Sequence, residues 1–391
     1  MCVSHFGTAN ALTPFAHNIP RLPAIDAGLL TWLGRPPYLL SHPRRTIVNS
    51  GRAAIAMAIR SLRIGAGESV LVPTLHCPSM ISPIIEVGAL PKFYPVDSTG
   101  TPRLDWLEDQ DLSSSRLICV AHYFGIPQGM RRIRTFVDRC GIHLLEDCAH
   151  ALFGDVDGKP IGSWGDFAVG SLVKFLPSSD GGVLVTNRGF PQLDAPPART
   201  LFDEIRAFAD VLEIGARHKK LGWMNPAIHF VALLKRALRR SARNESNVAI
   251  EEGSEMDLGP VLAGTRVTKW LIAHSNFQKM AQIRRENYKI LANRLQGVSG
   301  ARVMLAELSE SVVPYVFPLW VDAADQVHNA LKTTGVPVMR WNRPWAQTPR
   351  IAGDMGIDLG HHVLQLPCHQ SLSSDQVEWL GDTIAAAVTL Q

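Results

Sequence analysis

The chain has 391 residues, of which 46% are hydrophobic and 19% are charged. This composition excludes a wholly disordered protein, and the length predicts two domains or one large domain with a smaller one attached. The net charge of +4 gives no reason to expect nucleic acid as a partner, although it is compatible with an anionic substrate or cofactor.

Cysteine usage and hydropathy predict a cytoplasmic protein. The six cysteines are scattered without a CxxC pair, which argues against a zinc ribbon or a disulfide framework, and no metal is expected. The N-terminal sequence lacks the basic region and unbroken apolar core of a signal peptide. No window has about eighteen consecutive apolar residues, so no membrane span is expected.

Residues 1–40 are rich in proline and show no sustained period, which predicts an arm lying over the body of the protein or over a partner subunit. From residue 41 to 245, apolar runs alternate with stretches of helical period, which indicates a large α/β domain with a mainly parallel sheet covered by helices on both faces. Ligands of such sheets bind at the carboxyl ends of the strands. The predicted strands are SVLVPTL, LPKFYPVD, RLICVAHYFG, HLLEDCAH, FAVGSLV and GGVLVTN, and the clearest helices are GRAAIAMAIRSL and MRRIRTFVDRCG.

Residues 190–260 are less regular. FPQLDAPPART predicts a loop, and RNESNVAIEEGSEMD predicts a connecting segment. Between them, His229–Arg243 has the pattern of an amphipathic helix with five Lys or Arg residues and no acidic one. We interpret it as the solvated face of a packed helix, with a membrane surface or an anionic ligand as the alternative.

Residues 246–391 predict a smaller α+β domain. A long linking helix is expected from about Thr265 to Leu295. Strands YVFPLWVD and VPVMRW, a helix around QVHNALKTTG and a terminal helix from Ser373 follow.

Polar residues follow several of the predicted strands of the large domain. Ser50, Gly51 and Arg52 precede a helix, so free backbone N–H groups there could bind a phosphate, although Ser-Gly is also an ordinary helix cap. HLLEDCAH places Glu146, Asp147 and His150 at the end of an apolar strand. A buried carboxylate there needs a partner, and either a cationic ring nitrogen or a structural arginine would serve.

A lysine follows the next apolar strand. In GSWGDFAVGSLVK, Ser171 and Lys174 can both reach the strand-end cleft if the chain turns after Ser171. Lysine is seldom fully buried unless it is paired or chemically employed, so Lys174 is a candidate functional residue. The turn Asp180–Gly182 into the strand GVLVTN is structural.

Several motifs, taken in order, resemble the DegT/DnrJ/EryC/StrS family of sugar aminotransferases. They are SGRAAIAMAI, VLVPTLHCPSM, AHYFGIPQGMRRI, LLEDCAHALFG and GKPIGSWGDFAVGSLVKFLPSSDGGVLVTN, which together span about residues 45–190. The resemblance is looser through QKMAQIRRENYKILANRL and LQLPCHQSLSSDQVEWL. It implies a three-layer transferase fold of the aspartate aminotransferase type (fold type I) and dependence on pyridoxal 5'-phosphate.

The resemblance also implies roles for individual residues. Lys174 falls where the family has the lysine that forms a Schiff base with the cofactor, and Asp147 falls on the aspartate that keeps the pyridine nitrogen protonated. Ser171 lies near the family's phosphate-binding serine, and Gly51 and Arg52 occupy the phosphate turn.

Four features depart from the family pattern. Arg52 replaces a common threonine, His150 replaces a glutamine, and the approach to Lys174 is two residues shorter. His76-Cys77 stands where an aromatic residue usually stacks on the cofactor ring, which makes His76 the candidate for that contact.

Two further assignments depend on the resemblance. Asn225 corresponds to an asparagine that related enzymes lend across a dimer to the neighbouring phosphate, so a homodimer is expected. Arg340, Trp341 and Arg343 fall where the family lines its substrate cleft, and Trp341 has either a structural role or a sugar-stacking role.

The resemblance implies transfer of an amino group from an amino acid, with glutamate expected, to a keto group on a nucleotide-linked sugar or similar polyol. One alternative is dehydration or epimerisation of a related sugar with the same cofactor. That alternative is disfavoured because related dehydratases have histidine where this chain has Lys174. The other alternative is a catalytically inactive regulatory protein that retains the cofactor.

Overall fold

The structure is a computed structural model. It describes residues 19–31, 35–187, 189–190, 193–218, 220, 259–341 and 343–391. Asn225, the basic segment 229–243 and the predicted connection after it lie outside the described residues, as does most of the predicted arm.

A seven-stranded sheet forms the centre of the larger part of the chain, and its strand order is β1-β9-β8-β5-β4-β2-β3. Strands β2, β3, β4, β5 and β8 run parallel to one another, whereas β9 is antiparallel to both β8 and β1. A two-stranded hairpin, β6 and β7, stands apart from the sheet. The bounds of the nine strands are Arg45–Val48 (β1), Ser69–Pro73 (β2), Leu90–Tyr94 (β3), Ser115–Ala121 (β4), His143–Asp147 (β5), Asp155–Val156 (β6), Lys159–Pro160 (β7), Phe167–Ser171 (β8) and Gly182–Thr186 (β9).

These strands include the six that the sequence predicts, and the predicted mainly parallel sheet is confirmed. Strands β2 and β9 are buried along their whole length, which explains why their sequences are continuous apolar runs rather than alternating ones. The helices of this part are Tyr38–Ser41 (α1), Gly51–Ser61 (α2), Pro78–Glu86 (α3), Leu104–Glu108 (α4), Met130–Cys140 (α5) and Leu201–Arg217 (α6).

A three-stranded antiparallel sheet with helices forms the C-terminal part and has a second apolar core. Its last helix begins with a capping box, in which Ser373 and Gln376 satisfy each other's backbone N–H groups. The elements are Arg266–His274 (α7), Phe277–Leu295 (α8), Ala301–Val303 (β10), Val316–Val321 (β11), Ala324–Thr333 (α9), Gly356–His362 (α10), Val363–Pro367 (β12) and Ser374–Thr389 (α11).

Two predictions for this part are wrong. The linking helix from Thr265 to Leu295 is two helices, because Ser275 is extended and Asn276 starts α8 by accepting a hydrogen bond from the backbone N–H of Lys279. VPVMRW is not a strand. Within the described residues, only Met339 of this segment pairs with the outer edge of β12, through a single bridge to Gln365.

The described end of the predicted arm packs on the C-terminal part of the same chain. The backbone carbonyl of Pro20 accepts a hydrogen bond from His369 Nε2 at 2.9 Å, and Ser371 bonds both backbone groups of Ala24 at 3.0 Å. Leu30 forms a bridge with Ser275, where the predicted linking helix is interrupted. In the part of the chain described here, no helix has the length and apolar character needed to cross a membrane.

Candidate active site

The carboxyl ends of the parallel strands surround a cavity of about 260 Å³. The loops after β2, β4, β5 and β8 contribute to its wall, together with the first turn of α2. This is the edge at which ligands of open α/β sheets bind. Of the eight residues predicted to act on or bind the cofactor, all but Asn225 are part of the wall, namely Gly51, Arg52, His76, Asp147, His150, Ser171 and Lys174.

The two adjacent carboxylates at the end of β5 have different surroundings because successive strand residues point to opposite faces. Glu146 is fully buried and accepts hydrogen bonds from His122 Nε2 at 2.9 Å and from the backbone N–H groups of Gly162, Trp164 and Gly165. Its partner is therefore a histidine and three amides rather than an arginine. Glu146 holds the loop between β5 and β8.

Asp147 faces the cavity. Within the described part of the chain, the only hydrogen bond to its carboxylate comes from the backbone N–H of Ala149, at 2.8 Å. Burial raises the pKa of Asp147, and the Ala149 bond and the charge of Lys174 oppose that shift. A buried carboxylate that lacks a contacting cation is suited to bind one supplied by a ligand.

Lys174 lies in a 3₁₀ turn, Leu172–Lys174, that directly follows β8, as the sequence predicts. Its Nζ is 5.4 Å from the centre of the Tyr315 ring. Burial lowers the pKa of Lys174, while Cys77 and Asp147 raise it. A lysine with a lowered pKa carries more neutral amine near neutral pH, which is the form that attacks a carbonyl.

The first turn of α2 lies beside Ser171. The Ser50 hydroxyl caps the helix by accepting a hydrogen bond from the backbone N–H of Ala53 at 3.1 Å, and Gly51 and Arg52 follow it at the cavity wall. A Cβ built on Gly51 would lie 3.5 Å from Ser171 Cβ, so the helix end and the strand end are in contact distance. Free N–H groups at a helix N-terminus, a hydroxyl and an arginine are a suitable set for a phosphate.

His150 is 5% exposed and its ring lies between two aromatic side chains. The ring centres of Tyr315 and Trp341 are 4.5 Å and 4.8 Å away. His150 Nδ1 accepts a hydrogen bond from the backbone N–H of Phe124, and burial lowers the pKa of the ring well below its usual value, so His150 is neutral. Its Nε2 therefore carries the hydrogen.

His76 lines the cavity, but the protein uses both of its ring nitrogens. Nδ1 lies 3.0 Å from the carbonyls of Pro73 and Thr74 and must donate to them, while Nε2 accepts from the backbone N–H of Trp345 at 3.2 Å. The ring also packs on Phe93 at 5.3 Å. His76 connects the large sheet to the C-terminal part, and its contact with a cofactor ring stays a prediction.

Arg340, Trp341 and Arg343, the three candidates for the substrate cleft, differ in whether they reach the cavity. Trp341 is part of the cavity wall, whereas Arg343 is exposed. The Arg340 side chain is 3% exposed and donates to Asp325 at 2.7 Å and to the carbonyl of Ala324 at 3.3 Å. Arg340 therefore has a structural partner in the small domain.

One group of potential metal ligands occurs in the described residues. Ligand atoms of His122, Glu146 and Cys148 lie within 4.8 Å of one another, and all three residues are buried. Both oxygens of Glu146 accept backbone hydrogen bonds, and His122 Nδ1 accepts one from the backbone N–H of Gln128. These hydrogen bonds account for the arrangement without an ion.

Comparison with known proteins finds a similarity over the segment that contributes most of this cavity's wall. Residues 40–191 match the model of the DegT/DnrJ/EryC1/StrS aminotransferase family. Over that segment, about two fifths of its length, the chain is similar to this family. The match covers the first turn of α2, strand β5 and the Leu172–Lys174 turn described above.

Curated relatives resemble the chain over the same segment. GDP-perosamine synthase of Vibrio cholerae is 29% identical over 145 residues, which are 36% of this chain and 40% of that protein. UDP-N-acetyl-3-dehydro-alpha-D-glucosamine 3-aminotransferase of Acidithiobacillus ferrooxidans is 33% identical over 144 residues, 35% of this chain and 38% of that protein. L-glutamine:scyllo-inosose aminotransferase of Streptomyces griseus is 32% identical over 144 residues, 36% of this chain and 34% of that protein. The chain thus spans about two fifths of the length of the first relatives it matches.

Solved structures agree with the fold over nearly the whole chain. The putative sugar aminotransferase Spr1654 of Streptococcus pneumoniae, in its PMP form, superposes with a TM-score of 0.64 over 95% of this chain and 98% of that one, at 18% identity. The predicted fold, a mainly parallel sheet with a smaller C-terminal α+β part, is confirmed.

Two residues that contact Lys174 are not predicted from the sequence. Tyr315, whose ring faces Lys174 Nζ, precedes β11 and gave no signal beyond being an aromatic residue at a strand start. Arg284 is a fully buried arginine within α8. Its position in a helical pattern made it look like an ordinary charged residue of an amphipathic helix.

Proposed function

We propose that this protein is a pyridoxal 5'-phosphate-dependent aminotransferase that transfers an amino group from an amino acid to a keto group on a sugar or cyclic polyol. One observation carries the proposal. The amine of Lys174 and the carboxylate of Asp147 face a single strand-end cavity that also contains a helix N-terminus with Arg52.

The residues present fit three positions of the cofactor, namely its aldehyde, its ring nitrogen and its phosphate. Lys174 supplies the amine for its aldehyde, and the buried carboxylate of Asp147 suits a protonated ring nitrogen. Gly51, Arg52 and Ser171 suit its phosphate. The Streptococcus pneumoniae neighbour has been solved in PLP and PMP forms, which supports the same cofactor here.

When bound, the cofactor supplies an electron sink for carbanion chemistry next to nitrogen. The protein supplies the rest. Asp147 holds the proton at the ring nitrogen, because an ionised carboxylate at that atom favours the charged ring. Lys174 Nζ, as a neutral amine at the cavity wall, would be the base that moves the proton at the substrate carbon.

The relatives support a keto-sugar or keto-polyol as the acceptor. By their names, two of those above make amino derivatives of nucleotide-linked sugars, and one aminates an inosose. The donor is an amino acid, with glutamate as the sequence-based prediction. Glutamine is named for the inosose enzyme and is the other donor to test.

Cofactor attachment is tested directly by loading the protein with pyridoxal 5'-phosphate, reducing it with borohydride and mapping peptides by mass. A pyridoxyl group is expected on Lys174, because among the described residues its amine is the one at the cavity wall. Lys174→Ala is the control and should retain no reduced adduct. A label confined to other lysines would overturn the assignment.

The reaction is tested by half-reactions. The loaded protein should convert to the amino form of the cofactor with glutamate or glutamine, and a panel of keto-sugar nucleotides and inososes should return the aldehyde form, followed by absorption. Protein that carries the cofactor on Lys174 and yet accepts no amino group from either donor would contradict transamination.

A further inference from the structure

Arg284, in the middle of α8, is fully buried and makes no ion pair with a carboxylate in the described residues. Its guanidinium donates to four oxygen atoms instead. Nε donates to the side chain of Gln370 at 2.7 Å, Nη1 to the carbonyls of Pro314 and Tyr315 at 3.0 Å each, and Nη2 to the carbonyl of Lys174 at 3.0 Å. The fork of an arginine, with five N–H donors, suits such a set of separated acceptors.

Gln370 extends the arrangement by one residue. While its carbonyl accepts from Arg284, its amide Nε2 donates to the backbone carbonyl of Phe175 at 2.6 Å. The carbonyls of Lys174 and Phe175 are therefore both held by side chains from the C-terminal part of the chain. The guanidinium also lies over the Phe175 ring, 4.7 Å from its centre.

The same guanidinium acts on both sides of the Lys174 amine. It holds the backbone from which the Lys174 side chain extends, and it holds the backbone of Tyr315, whose ring lies 5.4 Å from Lys174 Nζ. A buried charge without a counter-ion costs stability, and burial lowers the pKa of Arg284 to about 10. An apolar residue at this position would avoid that cost. The role of Arg284 therefore lies in its four hydrogen bonds.

We infer that Arg284 is a positioning residue for Lys174, fixing the Lys174–Phe175 turn and the Tyr315 backbone against each other so that the amine stays in the cavity. The inference rests on the proposed function only in that Lys174 is the reactive lysine. It adds that the C-terminal part of the chain sets the reactivity of a residue in the turn after β8.

The test measures the reactivity of the Lys174 amine in the cofactor-free protein, by competitive acylation at a series of pH values and mass quantification of the Lys174 peptide. Arg284→Lys retains the positive charge but cannot reach four acceptors. We expect the Lys174–Phe175 turn to open and the Lys174 amine to become hydrated. The midpoint of Lys174 labelling, which is the pH at which half of the amine is neutral and reactive, should then rise by about one pH unit or more towards the ordinary lysine pKa near 10.4.

Gln370→Ala is the second variant, because it changes no charge and removes the bond to Phe175 as well as one acceptor of Arg284. It should shift the midpoint in the same direction by a smaller amount. Arg285→Lys is the matched control. Arg285 donates to the carbonyl of Val312 at 2.9 Å, in the loop before β11 that also contains Pro314 and Tyr315. Arg285 has no hydrogen bond to Lys174.

The titratable and charged groups that face Lys174 from the surrounding elements are unchanged in all three variants. These groups therefore do not account for a difference in the Lys174 labelling midpoint between the variants. These groups are Cys77, Asp147, His150, Tyr315 and, at the cavity wall, Arg52, His76, His122 and Tyr123. Thermal unfolding establishes that each variant is folded at the labelling temperature.

A purely structural Arg284 would lower the unfolding temperature and leave the Lys174 midpoint at its wild-type value, and that result in Arg284→Lys and Gln370→Ala would overturn the inference. A shift of equal size in Arg285→Lys would also overturn it. Because the protein is cofactor-free, the result is independent of the proposed function. Failure of wild-type protein to take pyridoxal 5'-phosphate on Lys174 would count against the function alone.

Discussion

At the scale of single residues, two neighbouring carboxylates show how local geometry separates structural from chemical roles. Glu146 and Asp147 look alike in HLLEDCAH, yet β5 turns them to opposite faces. Glu146 meets four hydrogen-bond donors, and Asp147 meets one. The first is fully satisfied inside the protein, whereas the second has capacity left for a ligand.

This difference predicts opposite effects of amide substitutions on the stability of cofactor-free protein. Glu146→Gln places an NH₂ group against N–H donors and should lower the free energy of unfolding by about 2 kcal/mol or more. Asp147→Asn should be neutral or stabilising. The folded-state pKa of Asp147 is raised, so its ionisation at neutral pH opposes folding, and asparagine removes that charge while it can still accept from Ala149. Urea unfolding at pH 7 measures both, and equal losses would contradict this account.

The buried ring of His76 predicts a dependence of stability on pH. Burial lowers its pKa from 6.5 to about 4 in the folded state. The unfolded chain therefore binds a proton first as the pH falls, so the stabilisation is complete above pH 6.5 and is lost progressively towards pH 4.

His76→Gln removes this titration. Between pH 6.5 and pH 4 the variant should lose less stability than the wild type, by up to about 3 kcal/mol. Denaturant unfolding across that range makes the comparison, in which the other histidines are common to both proteins. Parallel pH profiles would show that His76 is protonated in the folded protein as easily as in the unfolded one.

At the scale of elements, the position of the first turn of α2, the proposed phosphate site, depends on two antiparallel pairings at one side of the sheet. Strand β9 runs against both β8 and β1, so β1 ends at the same edge as β8. Gly182, the first residue of β9, pairs with Val48 on one side and Ser171 on the other. A Cβ on Gly182 would lie 2.2 Å from the backbone carbonyl oxygen of Ser50.

Gly182→Ala should therefore displace the first turn of α2 from Ser171. We expect a loss of about 1–3 kcal/mol in unfolding free energy and weaker binding of pyridoxal 5'-phosphate. Gly129→Ala is the matched control, because a Cβ there meets no atom within 4 Å and its φ of −68° suits alanine. Binding titration and urea unfolding measure both effects, and cofactor affinity unchanged in Gly182→Ala would contradict a phosphate site at this turn.

The interruption between α7 and α8 shows where sequence periodicity is insufficient. The apolar period continues through Ser275 and Asn276, so one helix was predicted. Residues far away in the sequence break it, since the backbone N–H of Thr31 donates to the carbonyl of His274 and the carbonyl of Leu29 accepts from Asn276. A segment near the N-terminus thus decides where α8 begins.

At the scale of the whole molecule, the C-terminal part completes a cavity whose reactive groups come from the large sheet. Tyr315, Trp341 and Arg284 lie outside the segment that matches the family, yet they contact or position His150 and Lys174. The C-terminal part therefore supplies contacts to the cavity that the matched segment does not contain.

The homodimer stays a prediction, because the family resemblance implies an asparagine, Asn225, that serves the neighbouring active site. Light scattering of purified protein should give twice the mass of the chain, and dilution should reduce specific activity as the dimer dissociates. A monomer with full activity would contradict the predicted sharing of the site between two chains.

The family resemblance supplied His76, and the sequence by itself indicated six of the seven strands of the large sheet and six other candidate residues that the structure brings to the same cavity. It could do so because apolar runs and turn residues are local signals, and because parallel strands bring their carboxyl ends to one edge. Only the tertiary structure decided which of Glu146 and Asp147 faces the cavity, where α8 begins, and which aromatic ring lies beside Lys174. Those outcomes depend on contacts between distant segments, such as Arg284 with Lys174, and such contacts leave no periodic pattern in the chain.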